Sequence, residues 1–263
     1  MNSSSIPNQS ENANFTQLSC VGCKNSTDLE FDFEYAFQPI VNFNAKTIFA
    51  HEALIRGPNG EAAQTILSKI NSNNQYQFDQ TCRVKAVKTA AELQLKSLLS
   101  INYIPNAVYR PELWISTTLD EAKKYDFPAA NIIFEFTEQE IIQDTNHLLN
   151  IVKEYKSLGF KTALDDFGAG YAGLNLLASF QPDIIKIDME LIRNIDASKS
   201  RQAIVKAVTR MCEELEVVVV AEGVETQSER DALLNFGINL FQGYFFFKPA
   251  FKPKGSLMKK HGH

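Results

Sequence analysis

The stretch TALDDFGAGYAGL, residues 162–174, places Asp165 and Asp166 side by side, with Gly168 and Gly170 following at once. Adjacent carboxylates repel, so holding them together requires compensating charge. Other polar residues stand in a similar relation to short apolar runs. Glu52 ends TIFAHE, Asn102 ends LLSIN, Glu135 lies in IIFEF, Glu222 ends VVVVAE and Gln242 follows INLF. Lys186 and Asp188 lie in IIKID, two apart and therefore on one face of a strand.

Together Glu52, Glu135, Asp165, Asp166, Asp188 and Glu222 bring six negative charges, and Lys186 brings one positive charge. Such a group holds together only if it is protonated or neutralised by cations. Carboxylates with an amide oxygen, and no His or Cys close by, are hard ligands. They suit Mg2+ or Mn2+ better than Zn2+. Two ions roughly 3.5–4 Å apart and bridged by a carboxylate are the arrangement used in phosphodiester hydrolysis. One acid at a strand end is ordinarily a helix cap or loop contact. Caps do not require charge to accumulate at strand end after strand end.

The elements that must position these residues alternate. Strand-like runs are YAFQPIVNF (35–43), KTIFAHEALIRG (46–57), SLLSIN, NIIFEF (131–136), FKTALDD, PDIIKID, VVVVAEG and INLFQGYFF. Helical spacing marks GEAAQTILSKIN, FDQTCRVKAVKTAAELQ, TEQEIIQDTNHLLNIVKEYKSLG (closed by Gly159), SRQAIVKAVTRMCEELE and TQSERDALLNFG. Alternation implies a mainly parallel sheet. The 263 residues suit a closed (β/α)8 barrel, which typically takes about 250. A doubly wound open sheet is the alternative, but its glycine-rich phosphate fingerprint is missing. In a barrel the C-terminal strand ends converge on one face, where active sites sit.

Composition sets the remaining bounds. A hydrophobic fraction of 44% and a charged fraction of 22% suffice for an ordinary folded core. The formal net charge of -5 argues against an extended nucleic-acid partner but leaves room for a small anionic ligand. No apolar run approaches the roughly 18 residues of a membrane span, and the N-terminus lacks a signal-peptide core. Four cysteines make no disulfide framework, so a cytoplasmic setting is expected. Residues 1–30 read as a polar, flexible tail carrying the Cys20–Cys23 pair, inert in a monomer or half of a zinc site shared between two chains. Cys82 and Cys212 fall in helical stretches and read as core residues, and residues 252–263 read as a basic tail.

At this point the motifs match a known family. From about residue 31 to 251 the chain resembles the EAL-domain phosphodiesterases of bacteria, which cleave cyclic di-GMP to linear pGpG. Its signature is Glu52-Ala53-Leu54 within EALIRG. FQPIV, SIN, FEFTE, DDFGAGYAGL, IKID, AEGVET and QGYFF occur in family order. The resemblance implies a modified (β/α)8 barrel with one antiparallel strand and two divalent cations, Mg2+ or Mn2+. It implies Glu52, Asn102, Glu135 and Asp165 as ligands of the first cation, with Asp165 bridging to a second that Asp166 also holds. Glu222 resembles an essential acid near the attacking water, in the second cation's shell or acting as base. Lys186 resembles a lysine that contacts this water and stabilises developing charge. Gln38, Leu54, Arg56, Asp188 and Gln242 are implied in substrate binding, Arg56 as a phosphate contact.

Glu138 matches the residue that anchors the Gly168–Gly170 loop, which the resemblance links to cation binding and to a homodimer. Within that loop Ala169 and the Ala172-Gly173 pair replace the commoner Thr and two serines. His51, before the signature, reads as packing. The short N-terminal segment leads to the expectation of a stand-alone domain. The alternative function is a catalytically silent module that binds cyclic di-GMP or a protein. A barrel lyase using Lys186 as a Schiff-base amine is disfavoured, because the surrounding acids would raise that amine's pKa.

Overall fold

The computed structural model of the chain describes residues 29–105, 114–137, 145–170 and 173–252. Eight strands close into a barrel in sequence order. The first, β1 (Glu34–Asn42), runs antiparallel to both its neighbours, β2 (Thr47–Arg56) and β8 (Leu240–Phe241). Pairing is parallel from β2 through β3 (Leu98–Asn102), β4 (Ile132–Thr137), β5 (Lys161–Phe167), β6 (Ile184–Ile187) and β7 (Val218–Ala221) to β8. A short turn after Asn42 can join only antiparallel strands, whereas parallel neighbours need a longer crossover. Those crossovers carry α1 (Ala63–Leu67), α2 (Gln75–Glu92), α3 (Ser116–Lys124), α4 (Thr145–Ser157), α5 (Gly173–Ser179), α6 (Met189–Ile192), α7 (Lys199–Glu214) and α8 (Gln227–Asn235). The modified barrel with one antiparallel strand is therefore the observed fold.

Some elements differ from the pattern of apolar spacing. The helix expected over GEAAQTILSKIN shrinks to α1, because Glu61 turns back to accept from Gly57 N at 2.9 Å through its carbonyl. The nine-residue α3 lies outside the helical runs picked out by spacing; it buries Thr118 and Ala122. The short α5 and α6 likewise lack enough turns to show a period. Gly159 does end α4 as expected, at φ 88°, and Phe160 N donates to Tyr155 O at 3.1 Å.

Two layers make the core. Inside the barrel, Ile40, Ala50, Ile133, Ala163, Ile184, Val220 and Leu240 form an aliphatic plug, with Leu98 packed against it. Between barrel and helices lies a larger layer that includes Phe134, Phe136, Tyr155 and Phe160, with Cys82 and Cys212 buried in α2 and α7.

One buried polar network ties α2 to the chain leaving β3. Arg83 Nη2 lies 3.0 Å from Asp79 Oδ2, off the hydrogen-bond direction, and both side chains are 1% exposed. Arg83 Nη1 donates to Trp114 O at 2.9 Å, while Ile104 N donates to Asp79 Oδ1 at 3.2 Å. Removing one member of a buried pair strands the other charge, which costs about 3–5 kcal/mol. Asp79→Ala is expected to lower the urea-unfolding free energy by about that amount. A loss below about 1 kcal/mol would show that the guanidinium finds water or another partner.

Candidate active site

Side chains on a strand alternate between faces, so a residue two beyond a plug residue also points into the barrel. Towards the barrel mouth, Ala50 is followed in this way by Glu52, Ile133 by Glu135, and Ala163 by Asp165. Ile184 is followed by Lys186, Val220 by Glu222, and Leu240 by Gln242. On the antiparallel β1 the direction reverses, and Ile40 leads to Gln38, which pairs directly with Glu52. An oily plug thus carries a ring of polar residues, one from each of these strands.

The ring closes on Lys186. Its ammonium nitrogen lies 2.7 Å from Glu222 Oε1, 3.0 Å from Asp165 Oδ1, 3.1 Å from Glu135 Oε2 and 3.4 Å from Glu52 Oε2. Glu52 is held from both sides. Asn102 Nδ2 donates to its Oε1 at 3.1 Å and Gln242 Nε2 to its Oε2 at 2.6 Å. The amide of Asn102 is thereby oriented, leaving Oδ1 to face elsewhere. Gln242 Nε2 also lies 3.3 Å from Gln38 Oε1, and Gln38 Nε2 donates to Phe247 O at 3.1 Å. Ser100 donates through Oγ to Glu135 Oε1. Ser100 is the residue that motif reading missed, although it precedes Asn102 by two and so shares its face.

Burial and charge divide these groups. Burial pushes Glu135 up to about 8, with Glu52 and Asp165 adding to the rise against Lys186. Burial likewise raises Asp165 and Glu222, the latter well above the carboxylate range. Burial also opposes ionisation of Glu52, yet Lys186 and the Gln242 and Asn102 hydrogen bonds outweigh it and hold that group low. Burial works against the Lys186 charge, but the four acids raise it well above its ordinary value. These groups titrate as one set.

Asp166 sits half-buried at the rim with φ 53°, a left-handed conformation uncommon outside glycine. Burial, then the charges of Asp165 and Asp188, raise it to about 6. Gly168 follows at φ 101°, where an added Cβ would stand 2.4 Å from Leu191 Cδ1. Gly170 ends the described part of this loop, and Glu138 lies outside the described residues, as do Cys20 and Cys23. Asp188 caps α6, accepting from Glu190 N at 2.8 Å. Leu54 and Arg56 continue the inward face of β2 from Glu52, and Arg56 Nη1 donates to Ile55 O at 2.7 Å. His51 lies on the opposite face, buried, with Nδ1 2.6 Å from Ser97 Oγ.

The donor set fits divalent cations. Oxygen atoms of Glu52, Glu135 and Asp165 can lie within 4.8 Å of one another, as can those of Asp165, Asp166 and Glu222. Asp165 belongs to both groups. Its Oδ1 faces the Lys186 ammonium, and among the described residues the buried Oε1 of Gln242 accepts no hydrogen bond and so retains capacity for a ligand.

Comparisons with known proteins agree with this geometry. The EAL domain family matches residues 27–249, and the chain belongs to that family. A stand-alone EAL protein from Vibrio cholerae, solved in its c-di-GMP-bound form, is 55% identical with a TM-score of 0.83, over 86% of this chain and 95% of that one. BlrP1 from Klebsiella pneumoniae, solved with manganese and cyclic di-GMP, is 39% identical with a TM-score of 0.79, over 83% and 56%. The blue light- and temperature-regulated antirepressor BluF of Escherichia coli is 37% identical over 215 residues, 81% of this chain and 53% of its own length. The chain thus spans about half the length of that curated relative.

The acids give a signed pH dependence. Glu135, Asp165, Asp166 and Glu222 are raised in the fold, so the folded state binds protons more tightly than the unfolded state. Their contribution is greatest below the ordinary carboxylate range and is lost as pH rises through about 6 for Asp166 and about 8 for Glu135. Glu52, held low, opposes this only at more acid pH. In chelator, Tm is expected to fall between about pH 5 and pH 8, and added Mn2+ to raise it more at the alkaline end. A chelated Tm that is flat or rising across this range would contradict the charge balance described.

Proposed function

We propose that this chain is a divalent-cation-dependent phosphodiesterase that opens one phosphodiester bond of cyclic di-GMP to give linear pGpG. The observation that supports it most is the sharing of Asp165 between two adjacent three-carboxylate groups at the mouth of the barrel. In this reading Glu52, Asn102, Glu135 and Asp165 hold one Mg2+ or Mn2+, and Asp165, Asp166 and Glu222 a second. When bound, the cations supply Lewis acidity towards water and phosphate.

The protein's own residues supply the rest. Lys186 stays protonated among its acids and offers fixed positive charge where negative charge develops on phosphorus oxygens. Glu222 borders the second group and either completes it or accepts the proton of the attacking water. Gln38 and Gln242 form one hydrogen-bonded edge for substrate, and Leu54, Arg56 and Asp188 line another. The loop from Asp166 through Gly168 and Gly170, with Glu138, couples the site to a homodimer contact. A cytoplasmic setting belongs to the same reading, and among the described residues no helix is long and apolar enough to cross a membrane.

The name of the antirepressor BluF favours a second reading, in which the domain binds a partner and signals by conformation. The full acidic ring with Lys186 supports catalysis over it.

The deciding experiment incubates purified protein with cyclic di-GMP and Mg2+ or Mn2+, with and without chelator, and separates the nucleotides. Cation-dependent pGpG is expected. Binding without cleavage in either metal would favour the signalling reading. Glu52→Ala is expected to abolish turnover, and near-wild-type activity would refute its role. Glu222→Gln is expected to lower kcat at least about 100-fold while cyclic di-GMP still binds. Equal loss of binding would make Glu222 a holder of structure or cation instead of a base.

A further inference from the structure

Ser100 occupies the ring position of β3. It stands two residues beyond Leu98, as Glu135 stands two beyond Ile133 and Asp165 two beyond Ala163. It is fully buried, and the plug beneath it is aliphatic. Packing alone gives no reason for a hydroxyl there, because an unpaired buried polar group is costly.

Among the described residues the hydroxyl makes one hydrogen bond, to Glu135 Oε1. The other oxygen, Oε2, accepts from Lys186 at 3.1 Å. Strands β3 and β6 therefore hold the same carboxylate by different oxygens. The last torsion of a glutamate is broad and nearly two-fold, so without such contacts the carboxylate plane is poorly fixed. Ser100 is also the Cα partner of Glu52 across β2 and β3, which places its hydroxyl between two of the candidate ligands.

We propose that Ser100 is a positioning residue for the cation site: its hydroxyl sets the plane of the Glu135 carboxylate and thereby which oxygen is presented to the first cation. The proposal rests on reading Glu135 as a cation ligand. Partners of this kind typically account for 10–100-fold in metal affinity or activity.

The test titrates Mn2+ into the purified full chain, followed by electron paramagnetic resonance or calorimetry, for wild type, Ser100→Ala and Ser100→Thr. Ser100→Ala is expected to raise the Mn2+ Kd about tenfold or more, and Ser100→Thr, which keeps the hydroxyl, to restore most of it. At saturating Mn2+ the KM for cyclic di-GMP is expected to stay near wild type. Melting in chelator establishes that each variant folds; if the extra methyl of threonine prevents folding, the alanine comparison decides. Wild-type Mn2+ affinity in Ser100→Ala overturns the proposal. So does a folded Ser100→Thr as weak as alanine, since that makes volume the relevant property. A shift in KM without a shift in Mn2+ affinity would place Ser100 at the substrate and also overturn it. Failure of the wild type itself to bind Mn2+ would instead remove the cation reading beneath it.

Discussion

The Lys186 ammonium stands among carboxylates from β2, β4, β5 and the end of β7, none farther than 3.4 Å. Among the described residues it is the cation paired with these four acids. One positive charge cannot neutralise four negative ones in a buried space, so the surplus must be carried as protons or as bound cations. The opposite directions of the Glu52 and Glu135 shifts express this competition: the Lys186 charge and the Gln242 and Asn102 donors favour ionised Glu52, while burial favours the protonated form of Glu135. A site short of positive charge is well suited to take up divalent cations and a phosphodiester that brings its own negative charge.

The plug makes that arrangement possible. Aliphatic side chains fill the barrel one layer below the ring and exclude water from the lower side of the acids. Charges there interact more strongly than they would in water, for repulsion and attraction alike. The strand period of two converts this plug-and-ring pattern into a repeated sequence feature, an aliphatic residue followed two positions later by a polar one. On β1 the order is reversed because the strand is antiparallel, and Gln38 precedes Ile40.

The rim is shaped by backbone constraints more than by charge. Asp166 at φ 53° lies within β5, where the pairing with β6 shifts register, and Gly168 at φ 101° turns the chain just past the strand. Gly243 brings the chain after β8 so close to Val224 that a Cβ would stand 2.1 Å from the Val224 carbonyl oxygen. That contact packs the chain after Gln242 onto the chain after Glu222. The loops beyond these strand ends are therefore joined through backbone, with Val224 N donating to Gln242 O at 3.0 Å, which steadies Glu222 and Gln242.

Much of this protein was legible in its residues. Short apolar runs, each with its polar terminus, specified the strands and nominated Glu52, Glu135, Asp165, Lys186, Glu222 and Gln242, because alternation on a strand is a local property. The motif order specified the family for the same reason. Ser100 escaped notice because a serine in a strand has no chemistry until its partner is known, and Glu135 is 35 positions away. The extent of α1 was also hidden, since a five-residue helix has no period, and α3 was not among the helical runs read from the residues. Which residues could form the site was thus written in the sequence. Which oxygen of each acid meets Lys186, which donor opposes it, and which carboxylate keeps a proton were decided only when the barrel closed, because burial and through-space charge depend on residues distant in the chain.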